Sequence, residues 1–157
     1  MLQRAFFLLR EQLDLDTLFR HDEREMIAQL RATAGHQGAS ELLEGLFGPA
    51  RQLYKRFAQF SAFQSPEQYQ RLARQPYAYL AVCGENMAEV LSAHLSVPVA
   101  AHEVLFDAPP AKLEVQFNIQ IHFPKEHCYR SLGEVSPVVE TLAQRQFDDY
   151  VKRVRVF

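Results

Sequence analysis

The sequence has little of what secreted, membrane-spanning or disulfide-stabilised proteins need. It contains two cysteines, Cys83 and Cys128, among 157 residues, and no tryptophan. Two thiols cannot build a disulfide framework, and Met1 is followed by Leu-Gln-Arg and not by an apolar run with a cleavage site. No apolar stretch approaches the roughly 20 residues that cross a bilayer. These absences predict a cytoplasmic protein without a transmembrane segment.

An excess of one charge is also missing. The chain has 17 Lys and Arg against 19 Asp and Glu, a net charge of −2, so nothing attracts it globally to nucleic acid or an anionic membrane. A glycine-rich phosphate loop, a nucleophile elbow and a Cys-x-x-Cys pair are absent from the sequence too. The sequence therefore predicts no cofactor, no membrane partner and no DNA partner.

Helical periodicity dominates the first two thirds of the chain. Residues 1–13 predict a helix dense in apolar groups, which either packs on a partner that lies upstream or is a terminal helix on its own core. Capping and stop signals predict further helices over residues 22–35, 40–47, 65–72 and 76–95, and after Ser136-Pro137. Gly84 weakens the pattern of the longest helix.

Alternating patterns follow in the last third. Residues 103–107, 112–123, 128–132 and 150–157 predict strands, as does the earlier segment 51–60. In residues 112–123 one predicted face carries Ile119, Ile121 and Phe123, and the other carries Gln120 and His122. The predicted fold class is α+β, in which N-terminal helices precede a small antiparallel sheet with packed helices. Residues 15–157 are expected to form a single lobe.

The dipeptide His21-Asp22 invites a metal-hydrolase interpretation, because HD enzymes hold a divalent ion with a His, an adjacent His-Asp pair and a later Asp. No histidine occurs in residues 1–20, so the first ligand does not exist in this sequence. Asp22 with Glu25 matches an Asp-x-x-Glu capping box instead. We therefore predict a structural role for Asp22 and assign no catalytic residue.

Two other groups could carry chemistry. His122, His127 and Cys128 flank a proline turn and form a weak candidate metal site, although their spacing fits no familiar signature. Phosphate groups favour basic donors, and the chain offers basic positions beside an aromatic residue as candidates for a phosphate or interdomain contact. These candidates are Arg51, Tyr54, Lys55, Arg56, Lys152 and Arg153. The competing interpretation is the solvated face of two strands.

Three blocks of sequence resemble a known family. They are Asp22-Glu-Arg-Glu-Met-Ile-Ala-Gln-Leu-Arg with residues 39–47, then Arg51-Gln-Leu-Tyr-Lys-Arg, then Val104-Leu-Phe-Asp-Ala-Pro-Pro-Ala-Lys. Together they resemble the C-terminal lobe of HD-domain phosphohydrolases of the dNTP triphosphohydrolase type, which include the sterile-alpha-motif and HD-domain enzymes and bacterial relatives. The resemblance covers about residue 15 to the end, and the Arg-x-Leu-Tyr-Lys and Asp-Ala-Pro-Pro motifs are its sharpest parts.

The resemblance implies a non-catalytic accessory and assembly domain of a metal-dependent phosphohydrolase with a nucleotide-type substrate. It implies packing against an HD catalytic core or against further copies of the chain, and it makes the helix within residues 1–14 a possible tail of the upstream catalytic bundle. In some members such lobes contribute basic residues to activating-nucleotide sites. Here Glu41 and Glu44 stand where those members tend to be basic, and two carboxylates would repel a triphosphate.

Two other functions remain open at this point. The chain could be a free-standing nucleotide- or RNA-binding module that uses the basic and aromatic positions, in which case binding should fall steeply with salt. A metal or thiol site at His122, His127 and Cys128 is the third and weakest hypothesis.

Overall fold

A computed structural model describes residues 1–35, 37–110, 119–141 and 152–157. Contacts divide the chain into two compact units. The first contains Met1–Phe57, Ala81–Phe106 and Val156–Phe157, and the second contains Ala58–Leu80 and Asp107–Arg155. The α+β class predicted from the sequence is confirmed, with helices first and then small antiparallel sheets among further helices.

The elements alternate irregularly along the chain after an all-helical start. The helices are α1 Leu2–Leu9, α2 Leu15–Leu18, α3 Glu23–Thr33, α4 Gln37–Phe47, α5 Pro66–Leu72, α6 Tyr77–Leu95, α7 Leu132–Val135 and α8 Pro137–Thr141. The strands are β1 Ala58–Phe60, β2 Phe106–Asp107, β3 Gln120–Phe123, β4 Cys128–Ser131 and β5 Val154–Val156. No helix in the described part of the chain is both long and apolar enough to cross a membrane.

The first unit has its core between α1 and α4. Ala5 and Leu9 recur at helical spacing on α1 and are fully buried, and Leu42 and Leu43 of α4 are 0% and 1% exposed. Leu30 of α3 joins the same cluster. The predicted helices 22–35 and 40–47 are confirmed as α3 and α4, because their apolar stripes meet in this core. Whether α1 also belongs to an upstream bundle stays a prediction.

Helix α6 continues through Gly84 without interruption, because the helix packs closely against the backbone at Val104. A Cβ built on Gly84 would lie 2.6 Å from the carbonyl oxygen of Val104, which is closer than side-chain carbons come to oxygen. The neighbouring positions Ala81 and Ala88 are also small and buried. Gly84 therefore lets the helix lie against the backbone of residues 104–106, an advantage that offsets its poor helix propensity.

The strands are shorter than the alternating patterns predicted. The first sheet has the order β1-β5-β2. Leu105 and Phe157 exchange two backbone hydrogen bonds of 3.0 and 2.9 Å, as an antiparallel pair does. The predicted strand 51–60 is correct only for Ala58–Phe60, since residues 51–57 are not part of a regular strand.

Strands β3 and β4 form an antiparallel hairpin in the second unit, in which Gln120 pairs with Ser131 and Phe123 with Cys128. The predicted wet face is confirmed at Gln120 and His122, which are exposed. The predicted burial of the other face is wrong at Ile119, which is 52% exposed. A two-stranded hairpin by itself offers too little apolar surface to bury one face. The rest of the predicted strand, residues 111–118, lies outside the described residues.

A smaller cluster supports the second unit. Tyr69 and Ala73 of the α5 region pack with Val154 of β5. The predicted helix start at Ser65-Pro66 is confirmed, because proline occupies the first helical position. Of the predicted strand 150–157, only Val154–Val156 is regular, and residues 142–151 lie outside the described part.

Candidate functional site

Of the His21-Asp22 pair, Asp22 caps a helix. The amide of Glu25 donates to Oδ1 of Asp22 at 2.8 Å, and the amide of Asp22 donates to Oε2 of Glu25 at 3.1 Å. This is the predicted capping box at the start of α3. Nδ1 of His21 is buried and has no hydrogen-bond partner in the described ranges. The carboxylate that an HD metal centre would use is therefore already an acceptor for backbone.

The candidate metal residues lie on the β3–β4 hairpin but do not converge. The ring of His122 stacks on Tyr129 with centroids 4.7 Å apart, and the thiol of Cys128 donates to Oε2 of Glu126 at 3.8 Å. His127 is in the turn with φ near 50°. Within the described residues, no group of three or more His, Cys, Asp or Glu side chains is placed to hold a metal ion.

The basic candidates separate into two sets. Arg51 and Lys55 are exposed and make no ion pair with any described residue, whereas Arg56 is exposed and has an interaction of its own. Lys152 and Arg153, in the second unit, are half-buried, and Nη1 of Arg153 donates to the carbonyl of Lys152 at 3.1 Å. The assignment of these residues to phosphate or interdomain contacts stays a prediction.

Tyr54 differs from its basic neighbours because it turns into the first unit. It is half-buried against the core of α1 and α4, and it lines a cavity of about 460 Å³. The cavity is walled by α4, the segment after it and the turn at residues 102–103. We call it the carboxylate-lined cavity; its lining residues include Glu41, Glu44, Tyr54, His102 and Glu103.

The carboxylates of this cavity are individually engaged. Oε2 of Glu41 contacts Nε2 of His102, and Oε2 of Glu103 accepts the amide of Ala100 at 2.7 Å. Glu44 pairs with Arg31 at 3.2 Å. A Cβ on Gly38 would lie 2.8 Å from Nδ1 of His102, so only glycine lets the imidazole rest on α4. The network fixes the turn at residue 102 against the helix.

The negative charges of Glu41 and Glu103 disfavour a further anion in the carboxylate-lined cavity. Burial raises the pKa of the Tyr54 hydroxyl, and the charges of Glu103 and Glu41 raise it further. The same field would oppose a phosphate group at this position. The expectation that Glu41 and Glu44 conflict with a triphosphate stays a prediction, and the presence of His102 and Glu103 in this cavity was not predicted from the sequence. The contact between His102 and Glu41 of α4 joins positions 61 residues apart, and no local pattern signals it.

The burial of one charged residue in the first unit was also not predicted from the sequence. Arg4 of α1 is 3% exposed, and its Nη2 donates to Oε1 of Glu85 on α6 at 2.8 Å. Its guanidinium carbon lies 5.6 Å from the ring centroid of Phe7. Nε and Nη1 find no hydrogen-bond partner within the described part. A buried charge with one partner ties α1 to α6.

Comparison with known protein families identifies the one to which the chain belongs. The profile of the HD associated region matches residues 1–154, nearly the whole chain. The protein belongs to this family of regions that accompany HD domains. No curated protein and no solved structure matches it.

Proposed function

We propose that this chain is a non-catalytic accessory and assembly region of an HD-type, metal-dependent phosphohydrolase with a nucleotide-type substrate, of the dNTP triphosphohydrolase kind. The observation that carries the proposal is the family match over residues 1–154, because the family is defined by its association with HD domains. The HD core supplies the metal ligands and the chemistry. This chain supplies packing surface.

The local geometry supports that division of roles. Asp22 accepts a backbone amide and its own amide is bound in return, so recruiting it to a metal would cost the cap of α3. The apolar side chains of α1 are partly used internally, since Leu9 is buried while Phe6, Phe7 and Leu8 are half-buried. Those three side chains keep part of their surface exposed.

Reconstitution with an HD core tests the proposal. The tagged full chain is expressed in its own cells, an HD-domain protein that co-purifies is identified, and the two are purified separately and mixed. We expect a complex at micromolar concentration and a higher melting temperature of the core, since a partner that binds only the folded core stabilises it by mass action. A core that neither binds the chain nor changes its melting temperature would contradict the proposal.

A second candidate function is favoured by one observation. Arg51 and Lys55 are exposed cations without an ion-pair partner among the described residues, as a phosphate-binding module requires. In this role the chain binds nucleotide or RNA phosphates by itself, with Tyr54, Lys152 and Arg153 as further candidates. The half-burial of Tyr54 beside carboxylates counts against its stacking on a base.

Salt dependence separates the two functions. A phosphate-binding module loses affinity steeply as salt rises. For single strands, each phosphate contact lowers the logarithm of the binding constant by about 0.7 for every tenfold rise in salt. Arg51→Ala with Lys55→Ala should then weaken retention of an oligonucleotide, whereas Lys125→Ala on the exposed hairpin turn serves as the control. If the wild-type chain retains no oligonucleotide at low ionic strength, the nucleotide- or RNA-binding function is excluded.

A further inference from the structure

The first unit exposes two phenylalanine rings. Among the described residues of that unit, Phe19 and Phe57 have the most exposed aromatic rings, at 81% and 66%. Each is preceded by a leucine that is about half exposed, Leu15 in one case and Leu53 in the other. Aromatic rings are enriched in the surfaces through which proteins meet their partners. The unit therefore offers apolar surface at two places.

The residues before Phe19 carry negative charge. Residues 11–19 contain three carboxylates and no lysine or arginine. Asp16 lies three residues before Phe19 and Leu15 lies four before it, so the three side chains are neighbours on α2 and its C-cap. Asp14 and Asp16 are exposed, and Asp16 makes no ion pair with any described residue. We call Asp14, Leu15, Asp16 and Phe19 the acidic patch.

The residues before Phe57 carry the opposite charge. Residues 51–57 contain three cations and no aspartate or glutamate. Arg51 and Lys55 are exposed and have no ion-pair partner among the described residues. We call Arg51, Leu53, Lys55 and Phe57 the basic segment.

The two surfaces are complementary. Each offers a leucine, an aromatic ring and two charges of one sign, so docking one on the other buries apolar side chains and sets every charge beside an opposite one. Both surfaces are exposed in a single copy, so they do not cover each other within it. Like charges oppose the pairing of either surface with itself. A partner that fits the basic segment must be acidic and apolar, and the chain itself carries such a surface.

We infer that the acidic patch of one copy of this chain docks on the basic segment of a second copy. The inference rests on the assembly part of the proposed function and gives it two surfaces. Because these surfaces differ, one copy presents the carboxylates and the other presents the cations. The charges are exposed and therefore screened by salt, so association should weaken as ionic strength rises.

Reversing one charge on each surface tests the inference on the full chain. Asp16→Lys makes both surfaces cationic there, and Lys55→Glu makes both acidic, so each variant alone should associate at least about tenfold more weakly than wild type. An equimolar mixture should recover association, because the reversed charges of the two variants are again opposite. Sedimentation equilibrium measures all three samples, and circular dichroism verifies that the variants remain folded.

Lys125→Glu is the matched control, because it makes the same change of charge as Lys55→Glu on the exposed hairpin turn and should leave association intact. A wild-type chain that stays monomeric over the concentration range overturns the inference. Two single variants that associate like wild type overturn it as well, and so does a mixture that associates no better than either variant alone. Failure of the wild-type chain to bind any HD core would instead overturn the proposed function alone.

Discussion

The helical core of the first unit and the β3–β4 hairpin of the second show the same regularity in sequence but not the same burial. Leu42 and Leu43 are predicted by helical spacing and are almost completely buried, whereas Ile119 is predicted by alternation and is half-exposed. In the first case four helices, α1 to α4, contribute buried residues to one apolar cluster. In the second, β3 and β4 pair with each other, and the described residues place no large apolar cluster against Ile119. Periodicity therefore locates an element, while a second layer decides whether its apolar face is buried.

The largest test of this comparison is a pair of truncations. Leu43→Ala removes a side chain that is 1% exposed and should lower the free energy of unfolding by about 2–5 kcal/mol, through lost burial and a residual cavity. Tyr129→Ala removes a 66% exposed ring of the hairpin and should cost about 1 kcal/mol or less, mainly its stacking on His122. Urea denaturation gives both values. Equal losses would show that the hairpin is packed as tightly as the helices.

Replacing Gly84 with alanine tests how tightly the helical region is packed. Alanine at Gly84 gains about 1 kcal/mol of helix propensity, but its Cβ would meet the Val104 carbonyl at 2.6 Å. Backbone cannot move aside cheaply, so overpacking dominates and Gly84→Ala should destabilise by about 1–3 kcal/mol. Gly35→Ala is the control, because nothing lies within 4 Å of its Cβ. If both variants unfolded at the same urea concentration, the close packing of Gly84 against Val104 would be contradicted.

The next effect concerns the cap at Asp22. Asp22→Ala removes the acceptor of the Glu25 amide and should cost about 1 kcal/mol in urea denaturation, while Asp22→Asn should stay close to wild type, since asparagine caps as well as aspartate. A metal ligand would behave differently, because asparagine replaces a carboxylate poorly in that role. If Asp22→Asn proved as damaging as Asp22→Ala, the structural assignment of the His21-Asp22 pair would be wrong.

The smallest effect is an alkaline one at Tyr54. Its folded pKa is raised above the ordinary value of 10.0 by burial and then by Glu103 and Glu41. The stability contributed by the neutral hydroxyl is therefore complete below about pH 10 and is lost as pH rises through the raised folded pKa. Tyr54→Phe cannot ionise, so its unfolding free energy should fall less steeply above that pH. Parallel profiles for the two proteins would place Tyr54 outside the carboxylate field.

Local signals in the sequence account for much of the fold. The Asp22-Glu25 box, the Ser65-Pro66 start and the apolar spacing of α4 each need only a few neighbouring residues, and all three are present. The short helices α2 and α7 were missed although Asp14 caps one and Ser131 with Glu134 caps the other. Four-residue helices carry too little periodicity to be seen.

The candidate site was less accessible to sequence reasoning. Tyr54 was grouped with Arg51 and Lys55 because they are neighbours, yet it turns inward and they do not. The contact between Glu41 and His102, like the ion pair of Arg4 with Glu85, joins residues far apart in the chain. Such pairs depend on how helices and turns meet, which the alternation of residue types does not encode.

We propose that this member of the HD associated region supports phosphohydrolase chemistry without performing it. The direct measurement is release of phosphate or triphosphate from nucleoside triphosphates by the purified chain, with Mn²⁺ or Mg²⁺ and with a chelator. We predict no metal-dependent release above buffer from the chain alone. Substantial turnover that disappears with chelator would contradict the account.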